Sequence, residues 1–282
     1  MITRRTFIIG SAGLIIPGRA RARPVILDIN ALYPQTKAII AAFSPAPTNA
    51  RIVAINSCVG LLIRSGLWNL IDILYMIAAA NAQNGSINWK NPGSNSLVQV
   101  GSGTFTADRG FASDGSTGYY TTGYSPSTAG GAATQDSMHL STWIASNTSP
   151  ANGQDILVTA EDFTQPDAQF SARTAGNQMR GDVNTLTAVS LASITDSSGH
   201  SGISRTGTNV TQGFKSGSFV GIVDTTASIA LAPGNLYICG TPMYGLSVKP
   251  QAAITLGAGL TSTLVANLNA ALFSYMHAVG VA

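Results

Sequence analysis

The spacing of hydrophobic residues changes once along the chain. Between Thr36 and Ala82 the pattern is helical, with apolar residues three and four positions apart, as they are on one face of an α-helix. Thr48 is a typical N-cap residue and Gly66 a typical C-terminal stop, which predicts a first helix between them. Its apolar face consists of Ile52, Ile55, Val59 and Leu62. The pattern then predicts a second packing helix from Leu67 to about Ala82.

After residue 90 the pattern becomes one of short runs rich in β-branched and aromatic residues, separated by Gly, Pro, Asn and Asp. The main runs are "TFT", "YYTTGY", "MHLSTWIA", "DILVTAE", "AQFSARTAG", "LTAVSLA", "GISRTG", "NVTQGFKSGSFVGIV", "NLYICG" and "AAITLGAGL". No helical pattern intervenes, so the runs predict an antiparallel β-sandwich.

A last helix closes the chain. Thr261 or Ser262 can cap it and Gly280 can stop it. Its apolar stripe consists of Leu264, Leu268, Leu272 and Met276.

Composition narrows the class of protein. Charged residues make up 10% of the chain and hydrophobic residues 45%, whereas an ordinary soluble domain has about 25% charged residues. Such a balance is typical of secreted β proteins and virion proteins. Four of the 15 basic residues lie in the first 22 positions, and the remainder carries 11 basic against 12 acidic residues. No basic stripe is present, so nucleic acid is not a predicted partner.

The amino terminus resembles a twin-arginine export signal. Arg4 and Arg5 precede an apolar run from Phe7 to Ile16, which is too short to span a bilayer, and Ala20 and Ala22 have the spacing of a cleavage site. Lysine is usual at the position of Ile9 in such signals. The alternative is an N-terminal arm that is not cleaved.

Two cysteines offer neither a disulfide framework nor a metal motif. Cys58 lies in an apolar run, where a buried free thiol is the simplest interpretation. A disulfide to Cys239 is the alternative if the protein is exported.

Three segments resemble concanavalin A-like (laminin-G-like) jelly rolls of the phage and prophage type. Residues 202–221 resemble a paired-strand motif of these domains, and residues 254–276 resemble their C-terminal tail. "DRGFASDGSTGYYTTGYSP", residues 108–126, resembles a segment that such phage proteins carry after a helical stretch. That stretch is matched here by Gly66, Trp68, Leu70, Asp72, Leu74, Tyr75, Ala78, Ala79 and Gln83.

Together, the N-terminal pattern and the resemblance predict three parts. Residues 1–22 are a twin-arginine-type signal or arm, residues 23–90 a helical segment, and residues 91–282 a concanavalin A-like jelly roll with its terminal helix. The helical segment is expected to mediate attachment or self-association. The similarity concerns fold more than activity, because jelly rolls carry many functions.

Within residues 108–126, the candidate ligand-binding residues are Asp108, Arg109, Asp114 and Tyr119. Aspartate and glycine at these positions also suit tight corners, so a purely structural corner is the alternative. Alternation along a strand places Tyr120 and Tyr124 on one face and Tyr119 on the other. Tyr120 is then expected to pack inward, and Tyr119 to face outward where its ring can stack on a sugar.

Catalytic and metal-binding patterns are not evident. Glu161 is the only glutamate, so the E-x-D-x-x-E motif of glucanases that share this fold is missing. "SGHSGIS" has Ile203 in place of the second glycine of a nucleophile elbow. His139, His200 and His277 have no zinc spacing. The resemblance allows a calcium ion, but no D-x-D-x-D loop assigns its ligands, and no other cofactor is expected.

The preferred interpretation is a non-catalytic virion-associated protein, such as a tail-fibre, tail-tip or capsid-decoration component. Its jelly roll would bind cell-surface glycan, and its partners would be other virion proteins or a second copy. An exported cellular carbohydrate-binding protein is the alternative, and a glycoside hydrolase is a weaker one. The expected location is therefore the virion or the outside of the cell.

If the N-terminal signal is cleaved, the mature chain begins at Arg23, directly after Ala22. Mass spectrometry of the amino terminus of native material measures this. An intact Met1 would instead indicate an uncleaved arm.

Overall fold

The computed structural model describes residues 29–148 and 153–282, and the predicted export signal lies outside this range. The described residues form a mainly β fold in which two antiparallel sheets face each other and helices cover the outer side of one sheet. This confirms the predicted β-sandwich with a terminal helix.

Five α-helices and two 3₁₀ turns (Ile29–Ala31 and Leu67–Asn69) occur in the described residues. The α-helices are α1 (Pro34–Ala41), α2 (Asn49–Arg64), α3 (Ala82–Ser86), α4 (Pro126–Ala129) and α5 (Ser262–Ala278). None of these helices is long and apolar enough to cross a membrane.

The strands are numbered in chain order. They are β1 (Ile71–Tyr75), β2 (Val98–Val100), β3 (Gly103–Thr106), β4 (Gly110–Ser113), β5 (Tyr119–Thr121), β6 (Met138–Ile144), β7 (Ile156–Thr159), β8 (Asp167–Ser171), β9 (Gln178–Thr185), β10 (Val189–Ser193), β11 (Gly199–Gly207), β12 (Val210–Lys215), β13 (Ser218–Asp224), β14 (Asn235–Ile238), β15 (Gly240–Thr241), β16 (Gly245–Leu246) and β17 (Gln251–Gly257).

Two large sheets account for most of these strands. Sheet I has the order β13-β12-β11-β6-β17-β4-β3, with β1 also paired to β17, and sheet II has the order β10-β9-β8-β7-β14-β5-β2. Strands β15 and β16 form a separate small hairpin. The pairs are antiparallel throughout, as the absence of a helical pattern between the predicted strands indicated.

Hydrophobic side chains form two layers. A central core between the sheets includes Phe111, Leu140 and Phe170. A second, helix-side core lies between sheet I and the helices and includes Leu62 of α2 and Leu272 of α5. Sheet I is therefore buried on both faces, which is why its central strand β17 has no exposed residue.

The predicted helix over Leu67–Ala82 is wrong. A 3₁₀ turn follows Gly66, and the chain then extends into β1, which pairs with β17. Ile73 of β1 packs in the central core, whereas the next residue, Leu74, packs in the helix-side core. A strand buried on both faces loses the alternation of apolar and polar residues, so its sequence can imitate helical spacing.

The prediction for α2 is confirmed. The Thr48 hydroxyl accepts a hydrogen bond from the Arg51 N–H at 3.4 Å, and Gly66 has a φ of 76° after the helix. The predicted apolar face, Ile52, Ile55, Val59 and Leu62, is buried within the chain. That face packs against α5 and sheet I, so it is already covered inside one molecule.

Helix α5 occupies the predicted position and has Thr261 as its N-cap residue. Leu268, Leu272 and Met276 of the predicted stripe are buried, whereas Leu264 is partly exposed. Cys58 and Cys239 are both buried free thiols, so no disulfide joins them.

One buried ion pair joins the two sheets. The carboxylate of Asp155, just before β7 in sheet II, accepts hydrogen bonds from Lys249 Nζ and Gln251 Nε2, each at 3.0 Å, and Gln251 begins β17 in sheet I. The Ser247 hydroxyl and the Ala172 N–H also donate to it, at 2.5 and 2.7 Å. Both charged side chains are fully buried, and the several donors compensate for the loss of water around Asp155.

Lys249→Met is expected to lower the free energy of unfolding by about 3–5 kcal/mol, because it leaves the Asp155 charge buried without a counter-charge. Urea denaturation at pH 7 measures the change. Lys37→Met is the control: Lys37 is a partly exposed residue of α1, and its substitution should change stability by less than about 0.5 kcal/mol. A loss below about 1 kcal/mol for Lys249→Met would contradict this account.

Candidate functional site

A polar cleft lies at the rim of the sandwich, where β1 of sheet I faces the segment 123–131 that follows β5 of sheet II. Its volume is about 530 Å³. The polar residues used below are Asp72, Asn88, Lys90, Asn91, Asn95 and Tyr124.

Asp72 is held in the cleft by the backbone. The register of β1 against β17 shifts between Ile71 and Ile73, so Asp72 lies at a bulge that releases it from the regular pleat. Its two carboxylate oxygens accept hydrogen bonds from the N–H groups of Ala132 and Ala133, at 2.6 and 2.9 Å. Each oxygen keeps a further lone pair for a ligand.

Gly131 permits this close approach. A Cβ atom at Gly131 would lie only 2.5 Å from the Asp72 carboxyl carbon. Any larger residue would therefore have to displace the carboxylate. Position 131 of the segment that binds Asp72 thus requires glycine for steric reasons.

Asn88 presents a donor to the cleft. The residue is almost fully buried, and its side-chain oxygen accepts hydrogen bonds from the N–H groups of Leu74 and Lys90, at 3.4 and 3.1 Å. These bonds orient the amide, so that its NH₂ group remains to donate to a ligand. Asn95 lies on the opposite side, where its amide donates to the Thr122 carbonyl at 3.4 Å.

Lys90 supplies a half-buried amino group. Its Nζ atom lies 4.3 Å from the centre of the Trp68 ring and donates a hydrogen bond to the Trp68 carbonyl. Burial lowers the pKa of Lys90 to about 8, although the negative charge of Asp72 acts in the opposite direction. The amine is thus charged at neutral pH but loses its proton more readily than an ordinary lysine.

Tyr124 lines the cleft and has a buried hydroxyl. Only 7% of the residue is exposed, and no described residue lies within hydrogen-bond distance of the hydroxyl, although the Asp72 carboxylate is near enough to act on it. Burial and the nearby charge of Asp72 raise the pKa of Tyr124, so the hydroxyl remains a donor. A buried hydroxyl without a partner costs about 1–3 kcal/mol, a cost that a ligand oxygen placed next to it would remove.

Together these groups suit a polyhydroxylated ligand. Asp72 accepts hydrogen bonds, Asn88 and Tyr124 donate them, and the side chains of Asn91, Ser125 and Thr128 can do both. Neighbouring hydroxyls of a sugar need this mixture of fixed donors and acceptors. The cleft can therefore bind a sugar through hydrogen bonds.

The predicted ligand residues Asp108 and Arg109 lie at a corner between β3 and β4. The Asp108 carboxylate forms an ion pair with Arg51 of α2 at 2.6 Å, and its N–H donates to the Ala79 carbonyl at 2.9 Å. Arg51 also donates to the Tyr275 hydroxyl of α5 at 2.9 Å. Asp108 thus ties the corner to both helices. Arg109 is bonded to the carbonyl of Asp108, and its binding role stays a prediction.

Asp114 organises a separate loop. Its carboxylate accepts hydrogen bonds from the N–H groups of Ser116, Thr117 and Gly118 and from the hydroxyls of Ser116 and Thr117, at 2.8–3.0 Å. These donors hold the pKa of Asp114 well below its ordinary value. No hydrogen bond among the described residues joins Asp108 or Arg109 to this loop.

The tyrosines follow the predicted alternation. Tyr120 is 4% exposed and its ring centre lies 4.2 Å from that of Phe111 in the central core, as expected. Tyr124 is also buried. Tyr119 is partly exposed and meets Tyr237 edge to face, with ring centres 5.9 Å apart. The stacking of Tyr119 on a sugar ring stays a prediction.

The residues of the cleft are not among those predicted from the sequence, although two signals were visible. Asp72 is a charged residue inside an apolar run, and "NWKNPGSN", residues 88–95, is a polar cluster directly before the first strands. A buried polar group in an apolar run needs a reason. The pattern alone does not show that these two segments meet at one rim.

A pair of acidic residues lies within sheet II, outside the cleft. Asp167 of β8 and Asp182 of β9 are neighbours, and burial together with the charge of Asp167 raises the pKa of Asp182 well above its ordinary value. The exposed fractions of the two residues are 5% and 0%. A ligand would need the covering residues to move before it reached this pair, so the open cleft is the better candidate.

The histidines do not assemble a metal site. His139 contacts the Ala258 carbonyl and the Thr255 hydroxyl, and burial lowers the pKa of His139 to about 4 and that of His200 to about 3. His277 lies near the end of α5. Within residues 29–148 and 153–282, no group of three or more His, Cys, Asp or Glu residues could hold a metal ion.

No family model and no curated protein matches the chain. Domain 4 of a GH43 extracellular arabinanase from Geobacillus stearothermophilus, solved with arabinotriose, is similar over 71% of this chain and 98% of its own, at 10% identity and a TM-score of 0.47. Trypanosoma rangeli sialidase in complex with 2,3-difluoro-KDN is similar over 79% of this chain and 39% of its own, at 12% identity and a TM-score of 0.49.

A third solved structure is the CBM40 of Ruminococcus gnavus IT-sialidase bound to α2,6 sialyllactose. It is similar over 52% of this chain and 93% of its own, at 14% identity and a TM-score of 0.37. These neighbours are carbohydrate-binding or glycoside-hydrolase-related proteins with β-sandwich domains. At such identities the similarity concerns the fold alone.

Tyr120→Ala is expected to lower the free energy of unfolding by about 3–5 kcal/mol, because it removes a ring from the central core. Tyr119→Ala should cost much less stability, since its ring is partly exposed, and should weaken glycan binding if the outer face takes part. Thermal denaturation and a glycan-binding assay measure the two effects. If Tyr119→Ala alters neither property, residues 108–120 are only a structural corner.

Proposed function

We propose that this protein is a non-catalytic glycan-binding protein and that the glycan lies in the polar cleft defined above. The observation that carries the proposal is Tyr124, which lines the cleft and whose hydroxyl has no partner within hydrogen-bond distance among the described residues. Asp72, fixed by two backbone N–H groups, provides an acceptor beside it. Specific polar groups held in place before binding are characteristic of ligand sites.

A binding role is favoured over hydrolysis because of the number of carboxylates in the cleft. Glycoside hydrolysis ordinarily needs two carboxyl groups on opposite sides of the scissile bond. Asp72 is the one carboxylate among the described residues that line the cleft. The Asp167–Asp182 pair is covered, as described above, and lies on other strands.

We further propose that the protein displays this cleft on a virion, as a tail-fibre, tail-tip or capsid-decoration component. Support comes from the sequence alone: the resemblance of residues 108–126 and of the segment before them to phage-type jelly rolls. The twin-arginine-type N-terminus instead supports export as a cellular protein. Proteomics of purified particles and of culture fluid distinguishes these two locations.

Tyr124→Phe tests the cleft. The substitution removes a hydroxyl that has no partner in the protein, so stability should stay the same or rise slightly. Glycan affinity should fall about three- to tenfold, the value of one lost hydrogen bond. Binding to a glycan array, followed by titration calorimetry with the best glycan, measures this effect.

Tyr244→Phe is the matched control, since the Tyr244 hydroxyl accepts a hydrogen bond from Thr159 outside the cleft. It should leave glycan affinity unchanged. The proposal fails if the unaltered protein binds no glycan on the array, or if Tyr124→Phe binds as tightly as the unaltered protein.

A further inference from the structure

The cleft contains two opposite charges that do not neutralise each other. The described residues contain two ion pairs, Arg51–Asp108 and Lys249–Asp155. Asp72 and Lys90 line the same cleft without forming a third, so their charged atoms are more than 4.0 Å apart. The cleft therefore has an accepting end at Asp72 and a cationic end at Lys90.

The two charges differ in how well the protein compensates them. Two backbone N–H groups donate to the Asp72 carboxylate, which balances much of its charge. Lys90 has one carbonyl and the face of the Trp68 ring, but no anion within ion-pair distance. The uncompensated charge is thus the positive one, and an ammonium has three donors, of which the Trp68 carbonyl uses one.

We infer that the glycan bound in the cleft carries a carboxylate, which pairs with Lys90, while the ring hydroxyls of the same sugar donate to Asp72. This inference rests on the proposed function, because it names the class of sugar for the same cleft. The ligand class is an acidic sugar, such as a uronic acid. A neutral sugar would leave Lys90 without a counter-charge, and a purely cationic ligand would be repelled by it.

Trp68 positions the amino group. The Lys90 amino group lies over the Trp68 indole ring and donates a hydrogen bond to the Trp68 carbonyl. Both contacts restrict the Lys90 side chain, which is otherwise flexible. A fixed ammonium loses less conformational freedom on binding, so more of its attraction for a carboxylate contributes to the binding free energy. Trp68 is therefore a positioning residue for Lys90.

The test compares two probes that differ only at C6: methyl β-D-glucuronide, which has a carboxylate there, and methyl β-D-glucoside, which has a hydroxyl. Titration calorimetry on the full chain at pH 6.5 should show about tenfold tighter binding of the glucuronide, as expected for one charge-assisted hydrogen bond. Lys90→Gln should remove this preference, and Lys90→Arg should retain it. Lys37→Gln, on α1, is the control and should change nothing.

The pH dependence separates Lys90 from other cations. Asp72 is the charged group that acts on Lys90. Because the pKa of Lys90 is lowered to about 8, the amino group of Lys90 loses its charge as the pH rises through that value. The preference for glucuronide should therefore decline between pH 7 and 9 in the unaltered protein and persist in Lys90→Arg. An ordinary lysine would hold its charge to about pH 10.

The outcomes distinguish a failure of the acidic-sugar inference from a failure of the proposed glycan cleft. Equal binding of glucoside and glucuronide would overturn the acidic-sugar inference and leave the proposed glycan cleft intact. Binding of neither probe, together with no binding on the glycan array, would overturn both. A preference for glucuronide that survives Lys90→Gln would place the carboxylate at another cation and overturn the inference.

Discussion

The ion pair between Asp155 and Lys249 constrains the centre of the sandwich, because neither charge reaches solvent. Such a pair is retained only when its geometry is good and its remaining hydrogen bonds are satisfied. Gln251 meets both conditions by donating to Asp155 while its side-chain oxygen accepts from Thr142 of β6. Polar contacts alone therefore fix the start of β17 against sheet II, in addition to the apolar contacts of the central core.

The position of β17 then determines where the cleft forms. Strand β17 pairs with β6 on one side and with β1 and β4 on the other. Since β1 takes its register from β17, the bulge that frees Asp72 also depends on it. A buried electrostatic contact at one end of β17 thus sets the position of a polar side chain at the other end.

The helices are attached to this framework by the corner at Asp108. Arg51 of α2 reaches both the Asp108 carboxylate and the Tyr275 hydroxyl, and that hydroxyl in turn donates to the Ala78 carbonyl. One guanidinium so connects two helices and the loop between β3 and β4. A partly buried side chain that donates from two nitrogens to two different residues suits arginine better than lysine. The aspartate of the "DRG" segment therefore has a structural function, whatever else the segment does.

The sequence was informative where apolar and polar residues alternated or a cap was present. Runs such as "MHLSTWIA" and the Thr48 cap led to correct elements, because each carries a local signal. The residues of β9, "QMRGDVNT", do not predict a strand, because Arg180 and Asp182 are charged residues typical of loops. The spacing of apolar residues in β1 predicts a helix because the strand is apolar on both faces. The cleft was not predictable, since Asp72 and Lys90 share one rim only because residues 88–90 pair with β1, where Asn88 bridges Tyr75 and the Trp89 N–H donates to the Leu74 carbonyl.

The cleft brings together polar groups whose hydrogen bonds the protein does not complete. Tyr124 keeps a buried hydroxyl without a partner, Lys90 is desolvated without an anion, and Asn88 is buried with a free NH₂ group. The Tyr124 hydroxyl lowers stability by about 1–3 kcal/mol, the cost of an unsatisfied buried polar group. The Asp155 carboxylate, by contrast, is buried with several donors around it. Local departures from a well-satisfied interior are expected where a protein binds something, because the ligand completes the hydrogen bonds that the fold leaves open.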